Sequence, residues 1–142
     1  MTTFRSEAEP LIRIVAAVIT DSLGCVLLVR KRGTVNFMFP GGKLADEEDA
    51  IAALARELRE ELGCGLASAP VELGAFTAPA ANEPGHRVDA RVFTAEIAGE
   101  PRACSEIAEI AWHDSEIAAP YSLAPLARDH VLPLIRVRRN AA

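Results

Sequence analysis

Apolar residues recur along the chain at two spacings, one typical of strands and one typical of helices. The segments LIRIVAAVIT (11–20) and CVLLVRKR (25–32) are rich in β-branched and other apolar residues, with the turn-like DSLG between them. This pattern predicts two strands joined as a hairpin. Three later segments, VELGAFTA (71–78), RVDARVFTAEIA (87–98) and EIAEIAWH (106–113), alternate well enough to be predicted as strands.

A helix is predicted after the second strand segment. At about 100 degrees per residue, its apolar stripe faces the core and consists of Ile51, Leu54, Leu58 and Leu62. Gly63 follows as a left-handed C-terminal cap. The polar loop PAANEPGH (79–86) is suited to contacting a ligand.

The last part of the chain is predicted to be a second helix. Its apolar positions have roughly helical spacing and comprise Leu123, Leu126, His130, Val131, Leu134 and Ile135. Pro133 is expected to kink or end this helix. The order of strands, helix, strands and helix predicts a mixed sheet with helices on its faces, within the α/β (α+β) class.

Composition narrows the class of protein. The chain has 142 residues, half hydrophobic and a quarter charged, which predicts one compact globular domain over residues 1–142. The net charge of −5 argues against a nucleic-acid polymer as partner. The three cysteines do not form a disulfide framework, and the N-terminal region contains no export signal or membrane span by its pattern. A cytoplasmic location is therefore expected.

Carboxylates on the first helix suggest a metal site. Glu57 and Glu61 are four residues apart on one flank of the apolar stripe, and Glu60 lies beside them. Carboxylates this close repel one another unless a cation lies among them, and hard oxygen ligands suit Mg²⁺, with Mn²⁺ as an alternative. The competing interpretation is a solvated helix in which Arg56 pairs with Glu60.

The spacing of these residues resembles the Nudix hydrolase signature. The match runs from Gly42 through Glu48 and the Arg56-Glu57 and Glu60-Glu61 pairs to Gly63 and the apolar Cys64. If each of seven fixed residues has a frequency of roughly 6 per cent, the probability of a chance match is on the order of 10⁻⁹ per start position. The resemblance implies an α/β/α sandwich around a mixed β-sheet, and cleavage of a nucleoside diphosphate linked to another group.

The resemblance also implies roles for individual residues. Glu57, Glu60 and Glu61 are the expected metal ligands, with the carbonyl group of Gly41 as a further ligand. Arg56 is expected to orient the carboxylates, and Glu48 to brace the loop before the helix. The catalytic residues are then Glu57, Glu60 and Arg56, with Glu60 or Glu57 as the general base. Glu83, Glu106 and Glu109 are outside candidates for a base or a fourth ligand.

Cationic residues near the signature are candidates for phosphate binding. Lys43 follows the second glycine of GGK, and Arg30 and Arg32 are two apart on a predicted strand, which places them on one face. Phe37, Phe39 and Phe76 are interpreted as core residues rather than as partners for a nucleobase.

Three functions remain open from the sequence. The first is Mg²⁺-dependent hydrolysis of a nucleoside triphosphate to the monophosphate and pyrophosphate. The second is ADP-ribose or nucleotide-sugar hydrolysis, because Pro79 lies sixteen residues after Gly63, a spacing similar to that of such family members. The third is a catalytically silent nucleotide-binding module. The expected partner is a small nucleotide, with no nucleic-acid polymer and no membrane; a homodimer is left open.

Overall fold

The computed structural model describes residues 10–141. Its strands are β1 Leu11–Val18, β2 Val26–Lys31, β3 Phe37–Met38, β4 Gly41–Lys43, β5 Gly65–Leu66, β6 Val71–Pro79, β7 Arg87–Thr94, β8 Ile97–Ala98 and β9 Ile107–His113. Helix α1 spans Ala50–Leu62. A π-helical segment, Leu126–Val131, leads directly into helix α2, Leu132–Ala141.

The strands form two main sheets. The larger has the order β4-β1-β7-β6, in which β1 and β7 are parallel and the other neighbours are antiparallel. The smaller has the order β3-β2-β9 and is antiparallel, and β5 pairs with β8. The sheet structure is therefore mixed, as predicted.

Strand β1 separates two hydrophobic clusters. Val15 and Ala17 pack with the buried side of α1, whereas Ala16 and Val18 pack with the π-helical segment and α2. This alternation follows from the two-residue period of a strand. Helices thus cover opposite faces of the sheet structure, and the predicted α+β fold is confirmed.

Helix α1 has both of its ends capped. The Asp49 side chain accepts a hydrogen bond from the backbone N–H of Ala52, and Gly63 adopts φ 71° and donates its N–H to the carbonyl oxygen of Arg59. The Gly63 conformation is the one that the sequence predicted. These caps fix where the helix begins and ends, whereas its buried apolar residues set which side faces the core and hence where its carboxylates lie.

One position of the predicted apolar stripe is wrong. Leu54, Leu58 and Leu62 are fully buried, but Ile51 is exposed, and Ala50 and Ala53 fill the core at that end. Both alanines belong to the same buried cluster as Leu44.

The predicted hairpin of β1 and β2 is confined to the residues beside its turn, where Leu27 N–H donates to Ile19 O and Asp21 N–H to Cys25 O, both over 2.9 Å. The two segments are joined by an isolated bridge between Thr20 and Val26, after which β2 pairs with β3 and β9 in the other sheet. Local alternation predicts a strand but not its neighbour, because pairing depends on distant segments. Similarly, the segment 87–98 forms two strands, β7 and β8, rather than one.

Pro133 does not end the last helix, which continues to Ala141. The residue before it, Leu132, donates its N–H to the carbonyl oxygen of Ala127, five residues earlier. Pro133 therefore lies in the first turn of the following α-helix, where a missing N–H is tolerated.

Among the described residues, no helix has the length and apolar character needed to cross a membrane.

Candidate active site

The three signature glutamates on α1 have graded exposure. The Glu61 residue is only 3% exposed, the Glu57 side chain is 15% exposed, and the Glu60 side chain is 56% exposed. They lie within about one turn of the helix, so they present carboxylates from the protein interior out to solvent. The carboxylate groups of Glu57, Glu60 and Glu61 therefore form an acidic edge of α1 that runs from the protein interior to the solvent.

Glu61 is held against the glycine pair of β4. The backbone N–H of Gly41 donates a hydrogen bond to Glu61 Oε1 over 3.1 Å. Burial raises the pKa of Glu61 to about 8, although this hydrogen bond and the charge of Lys31 oppose the shift. A carboxyl group in this setting gains from any positive charge placed beside it.

Arg56 links Glu57 to the loop that precedes the helix. Its guanidinium donates to Glu57 Oε2 over 2.8 Å and to Glu48 Oε2 over 2.9 Å, and its distance to Glu60 Oε1 is 3.9 Å. Glu48 also accepts a hydrogen bond from the backbone N–H of Ala45, so it contacts the loop that it was expected to brace. Arg56 thereby fixes the direction of the Glu57 carboxylate through a planar, forked donor.

The pKa values of the two carboxylates bonded to Arg56 move in opposite directions. Burial, followed by the charge of Glu60, raises the pKa of Glu57 despite the Arg56 bond. The hydrogen bonds from Ala45 and Arg56 lower the pKa of Glu48. Glu48 is therefore a fixed anion that restrains Arg56, whereas Glu57 is the more basic of the two.

Neither glycine of β4 could carry a side chain without contacting a neighbouring group. A Cβ atom on Gly41 would overlap the carbonyl oxygen of Val15 on β1, and a Cβ atom on Gly42 would overlap the Glu57 carboxyl group. Gly41 is required because the obstructing atoms are backbone atoms of β1, whereas a side chain at Gly42 would displace the Glu57 carboxyl group from its present position.

A cavity of about 280 Å³ opens beside the glycine pair. Its polar and charged lining includes Lys31, Arg32, Thr34, Lys43, Asn82, Glu83 and Glu106. Its apolar lining includes Ile12, Ile14, Met38, Phe39, Val88, Leu126 and Ala127. Gly41 and Gly42 also line it, so the cavity adjoins the strand that contacts Glu57 and Glu61.

The predicted phosphate-binding residues divide between two environments. Lys43 and Arg32 line the cavity, but Arg30 is not among its lining residues. Arg30 donates instead to Glu109 over 2.9 Å and to the carbonyl oxygen of Thr34 over 2.8 Å. An irregularity in the β2–β9 register between Arg30 and Lys31 interrupts the strand alternation on which the shared face was predicted.

Sequence reasoning missed Lys31, which lines the cavity. Its Nζ atom lies 3.5 Å from Glu106 Oε1. One signal was available in the sequence: Lys31 and Lys43 are its only lysines, whereas the other long cationic side chains are arginines.

The outside candidates are also distributed unevenly. Glu83 and Glu106 line the cavity, and Glu109 pairs with Arg30 away from it. Phe39 is buried and lines the cavity. The other two aromatic residues pack against Tyr121 and His130, with ring centroids 4.2 Å apart for Phe37 and 6.1 Å apart for Phe76.

The acidic edge fits a divalent cation by its donor chemistry. Within residues 10–141, no three His, Cys, Asp or Glu side chains converge as a ready-made metal site. Even so, burial raises the pKa of both Glu57 and Glu61, and the charge of Glu57 adds to the shift at Glu61. Carboxylate oxygens of this kind, partly desolvated and close to one another, are the donors that a hard cation such as Mg²⁺ prefers.

Comparison with known proteins identifies the class. The NUDIX domain family profile matches residues 10–134, which include the glycine pair, the acidic helix and the cavity lining. The chain belongs to the Nudix family, whose members generally use divalent cations and whose fold supports hydrolysis of pyrophosphate bonds. A comparison with curated proteins found no match.

Solved structures show the individual proteins that this chain resembles. The E. coli ORF135 protein is 25% identical, with 94% of this chain and 92% of that chain covered and a TM-score of 0.68. The MutT NUDIX hydrolase from Burkholderia pseudomallei is 25% identical, with coverages of 89% and 96% and a TM-score of 0.69. The MutT protein from Methanosarcina mazei Go1 is 23% identical, with coverages of 95% and 99% and a TM-score of 0.74. At this last identity the likeness shows the fold alone.

Proposed function

We propose that the chain is a Mg²⁺-dependent pyrophosphohydrolase that cleaves a nucleoside diphosphate linked to another group. The observation that carries this proposal is the contact between the acidic edge of α1 and the glycine pair of β4. There, Glu61 accepts a hydrogen bond from Gly41, and Gly41 and Gly42 line a cavity that also contains cationic side chains. Acidic oxygens for a metal thus adjoin cations for phosphate.

The signature glutamates are proposed to hold the cation. Glu57, Glu60 and Glu61 supply carboxylate oxygens, and the carbonyl group of Gly41 is a further donor. When bound, Mg²⁺ neutralises phosphate oxygens and lowers the pKa of an attacking water. Arg56 acts through Glu57, because its two hydrogen bonds keep that carboxylate directed while Glu48 anchors the guanidinium.

Glu60 is the better placed of the two general-base candidates. Glu57 is already bonded to Arg56 at 2.8 Å, whereas the closest approach of Glu60 to that guanidinium is 3.9 Å. Glu60 is also the more exposed side chain. Its carboxylate can therefore accept a proton from water and return it to solvent.

The two parts of the cavity suit a nucleoside triphosphate. Lys43 and Arg32 supply positive charge for phosphates, and the apolar part supplies a surface for a nucleobase. The proposed products are the nucleoside monophosphate and pyrophosphate. Membership of the Nudix family supports this proposal, because the family acts on small nucleotide substrates.

A nucleotide sugar such as ADP-ribose is the second candidate substrate. Pro79, whose spacing from Gly63 is similar to that of ADP-ribose hydrolases, lies at the end of β6 and lines the cavity. The second product distinguishes the two candidate substrates: a nucleotide sugar yields a sugar phosphate beside the nucleoside monophosphate, whereas a triphosphate yields pyrophosphate.

The test is product analysis in oxygen-18 water with Mg²⁺ and a panel of nucleoside triphosphates, dinucleotides and nucleotide sugars. We expect cleavage within a diphosphate linkage, with the new oxygen on one product that identifies the attacked phosphorus. Orthophosphate and nucleoside diphosphate as the sole initial products of a triphosphate would contradict the proposal. Binding without turnover across the panel would instead identify a catalytically silent nucleotide-binding module.

A further inference from the structure

The β6–β7 loop, residues 80–86, forms one wall of the cavity through Ala81, Asn82 and Glu83. The loop is closed by its own backbone. The Ala80 N–H donates to the carbonyl oxygen of His86 over 2.9 Å, and the His86 N–H donates to the carbonyl oxygen of Glu83 over 3.1 Å. These internal bonds hold the loop together as a unit, but they do not fix its position relative to the rest of the cavity.

A side-chain hydrogen bond attaches this loop to another part of the molecule. Asn36, between β2 and β3, donates from Nδ2 to the carbonyl oxygen of Ala81 over 3.2 Å. Within residues 10–141, this is the one hydrogen bond that joins the loop to a segment other than β6 and β7. Because Ala81 precedes Asn82 and Glu83, the bond restrains the part of the loop that faces the cavity.

The amide group of Asn36 is held from its other side as well. The Ser122 hydroxyl donates to Asn36 Oδ1 over 2.8 Å, and the Ser122 carbonyl oxygen accepts the backbone N–H of Phe37 over 2.8 Å. The Ala81 carbonyl oxygen can only accept a hydrogen bond, so the amide nitrogen faces Ala81 and the amide oxygen faces Ser122. The orientation of the Asn36 amide group is therefore set by the protein itself.

Asn36 thereby connects three segments that build the cavity. Thr34 lines it from the connection between β2 and β3, Asn82 from the β6–β7 loop, and Ala124 from the segment before the π-helix. Asn36 itself is not among the lining residues. Its influence on a ligand in the cavity must therefore pass through the segments that it connects.

From these contacts we propose that Asn36 is a positioning residue for substrate binding, which holds the β6–β7 loop where Asn82 and Glu83 face the cavity. The inference rests on the proposed function, since it concerns the same cavity. Without the bond from Asn36, the loop opens more often, and the apparent affinity falls with the fraction of molecules whose loop is in the binding position. The acidic edge of α1 is not bonded to Asn36 in the described part of the chain, so the chemical step should be unaffected.

The experiment measures equilibrium binding and loop opening. Adenosine triphosphate with a methylene group between the α and β phosphorus atoms is titrated calorimetrically with Mg²⁺ present. Asn36→Ala and Asn36→Asp both lack the N–H that bonds Ala81, and aspartate keeps an oxygen that can accept from Ser122. Both variants are expected to weaken binding about fivefold or more, the effect of losing one net hydrogen bond. Without the analogue, the amide hydrogens of the loop should exchange faster in both variants.

Asn140→Asp is the matched control. It makes the same change of side chain at an exposed position of α2 that does not line the cavity. Its affinity for the analogue and its exchange in the loop should equal those of the unaltered protein.

Steady-state kinetics distinguish positioning from a general structural role. For any compound of the panel that is cleaved, the Asn36 variants should raise KM by about the same factor as they weaken analogue binding, and leave kcat within about twofold. A fall in kcat with an unchanged KM overturns the inference, because Asn36 would then affect the chemical step rather than binding.

The binding results can also contradict the inference. Normal binding of the analogue by Asn36→Ala overturns it, even if Asn36→Asp binds weakly, because the added negative charge would then be the cause. Weaker binding without faster exchange in the β6–β7 loop overturns it too, since the loop would not be the segment that Asn36 holds.

The outcomes separate this inference from the proposed function. If the analogue binds with the expected dependence on Asn36 but no compound is cleaved, the positioning role stands and the proposed hydrolysis fails. If diphosphate cleavage is observed and the Asn36 variants bind the analogue normally, the hydrolysis stands and the positioning role fails. Absence of binding by the unaltered protein overturns the positioning role together with the nucleotide site.

Discussion

At the residue scale, the three signature glutamates have the same carboxyl group but differ widely in how deeply they are buried. Glu61 is buried against Gly41, and Glu60 is largely in water. A buried carboxylate is costly unless positive charge or hydrogen-bond donors surround it. Placing one here is consistent with a cation-binding role, since an ordinary structural position would favour an apolar side chain.

Glu57→Gln and Glu61→Gln test this role. Each change removes a charge with little change in volume, so we expect turnover to fall roughly 10²-fold or more if these residues hold the metal. The variants should stay folded, because the glutamine amide that replaces the Glu61 carboxylate keeps an oxygen able to accept the Gly41 N–H. The measurement is kcat/KM with Mg²⁺, alongside circular dichroism. Near-normal activity in both variants would rule out the metal assignment.

Arg56→Lys separates orientation of the carboxylates from simple charge pairing. Lysine keeps the charge but lacks the planar fork that bonds Glu48 and Glu57 together. We therefore expect turnover to fall substantially while the urea midpoint changes little. Turnover equal to that of the unaltered protein would mean that Arg56 contributes only an ion pair at a partly exposed site.

His113 gives a pH-dependent prediction away from the acidic edge. Burial lowers the pKa of His113 from its ordinary value of 6.5, and the charge of Arg136 adds to this while Asp114 opposes it. The unfolded chain therefore binds a proton at a higher pH than the folded chain does. The stabilisation is present above about pH 6.5 and is lost as the pH falls through the lowered pKa.

His113→Gln should weaken this dependence. Urea unfolding from about pH 7.5 to 5 should show a smaller loss of stability for the variant than for the unaltered protein. Other groups that titrate in this range remain in both proteins, so the difference between the two curves isolates His113. Parallel curves would show that this histidine does not contribute.

At the element scale, α1 was the most predictable part of the molecule and β2 the least. The Gly63 cap of α1 and the stripe of Leu54, Leu58 and Leu62 follow from local sequence, because helix contacts repeat within four residues. β2 pairs with the nearby β3 and with the distant β9, and its register with β9 is irregular near Arg30 and Lys31. That is why Lys31 was missed and a hairpin was predicted.

Gly63→Ala tests the cap that ends α1. Gly63 has φ 71°, where a side chain costs about 1 kcal/mol of stability. A Cβ at Gly63 would also lie 2.8 Å from the end of the flexible Arg102 side chain, which can move aside. Gly65→Ala is the control, because a Cβ there meets nothing within 4 Å and its φ is not in the left-handed region. Chemical denaturation should show the loss for Gly63→Ala and a change within about 0.5 kcal/mol for the control. Equal losses would mean that the left-handed conformation is not the cause.

At the scale of the whole molecule, the proposed nucleobase surface is assembled from four separate parts of the chain. Ile12 and Ile14 come from β1, Val88 from β7, Phe39 from the segment before β4, and Leu126 and Ala127 from the π-helical segment. The fold class could be predicted because the signature is local. This surface could not, because no short pattern relates its members.

The apolar character of that surface predicts weak selection among nucleobases. Apolar contacts change the ratio of kcat/KM values between related ligands by about 10–200-fold, whereas buried hydrogen-bonding groups change it by about 10⁴-fold. We expect the kcat/KM values of the four common nucleoside triphosphates to lie within about 10²-fold of one another. A preference above about 10³ for one base would instead indicate polar recognition of that base.

The parallel pairing of β1 with β7 has a consequence for how the chain is made. Leu11 pairs with Arg87 and Val18 with Thr94, so β1 leaves the ribosome long before its parallel neighbour exists. Because synthesis adds about 5–20 residues per second, several seconds pass between completion of α1 and completion of β7. During this time the sheet beside α1 is incomplete. In that interval β1 has only the three-residue β4 as a neighbour. A ribosome-bound chain shorter than about 94 residues is therefore expected to expose the β-branched edge of β1 that later pairs with β7, and so to bind chaperones.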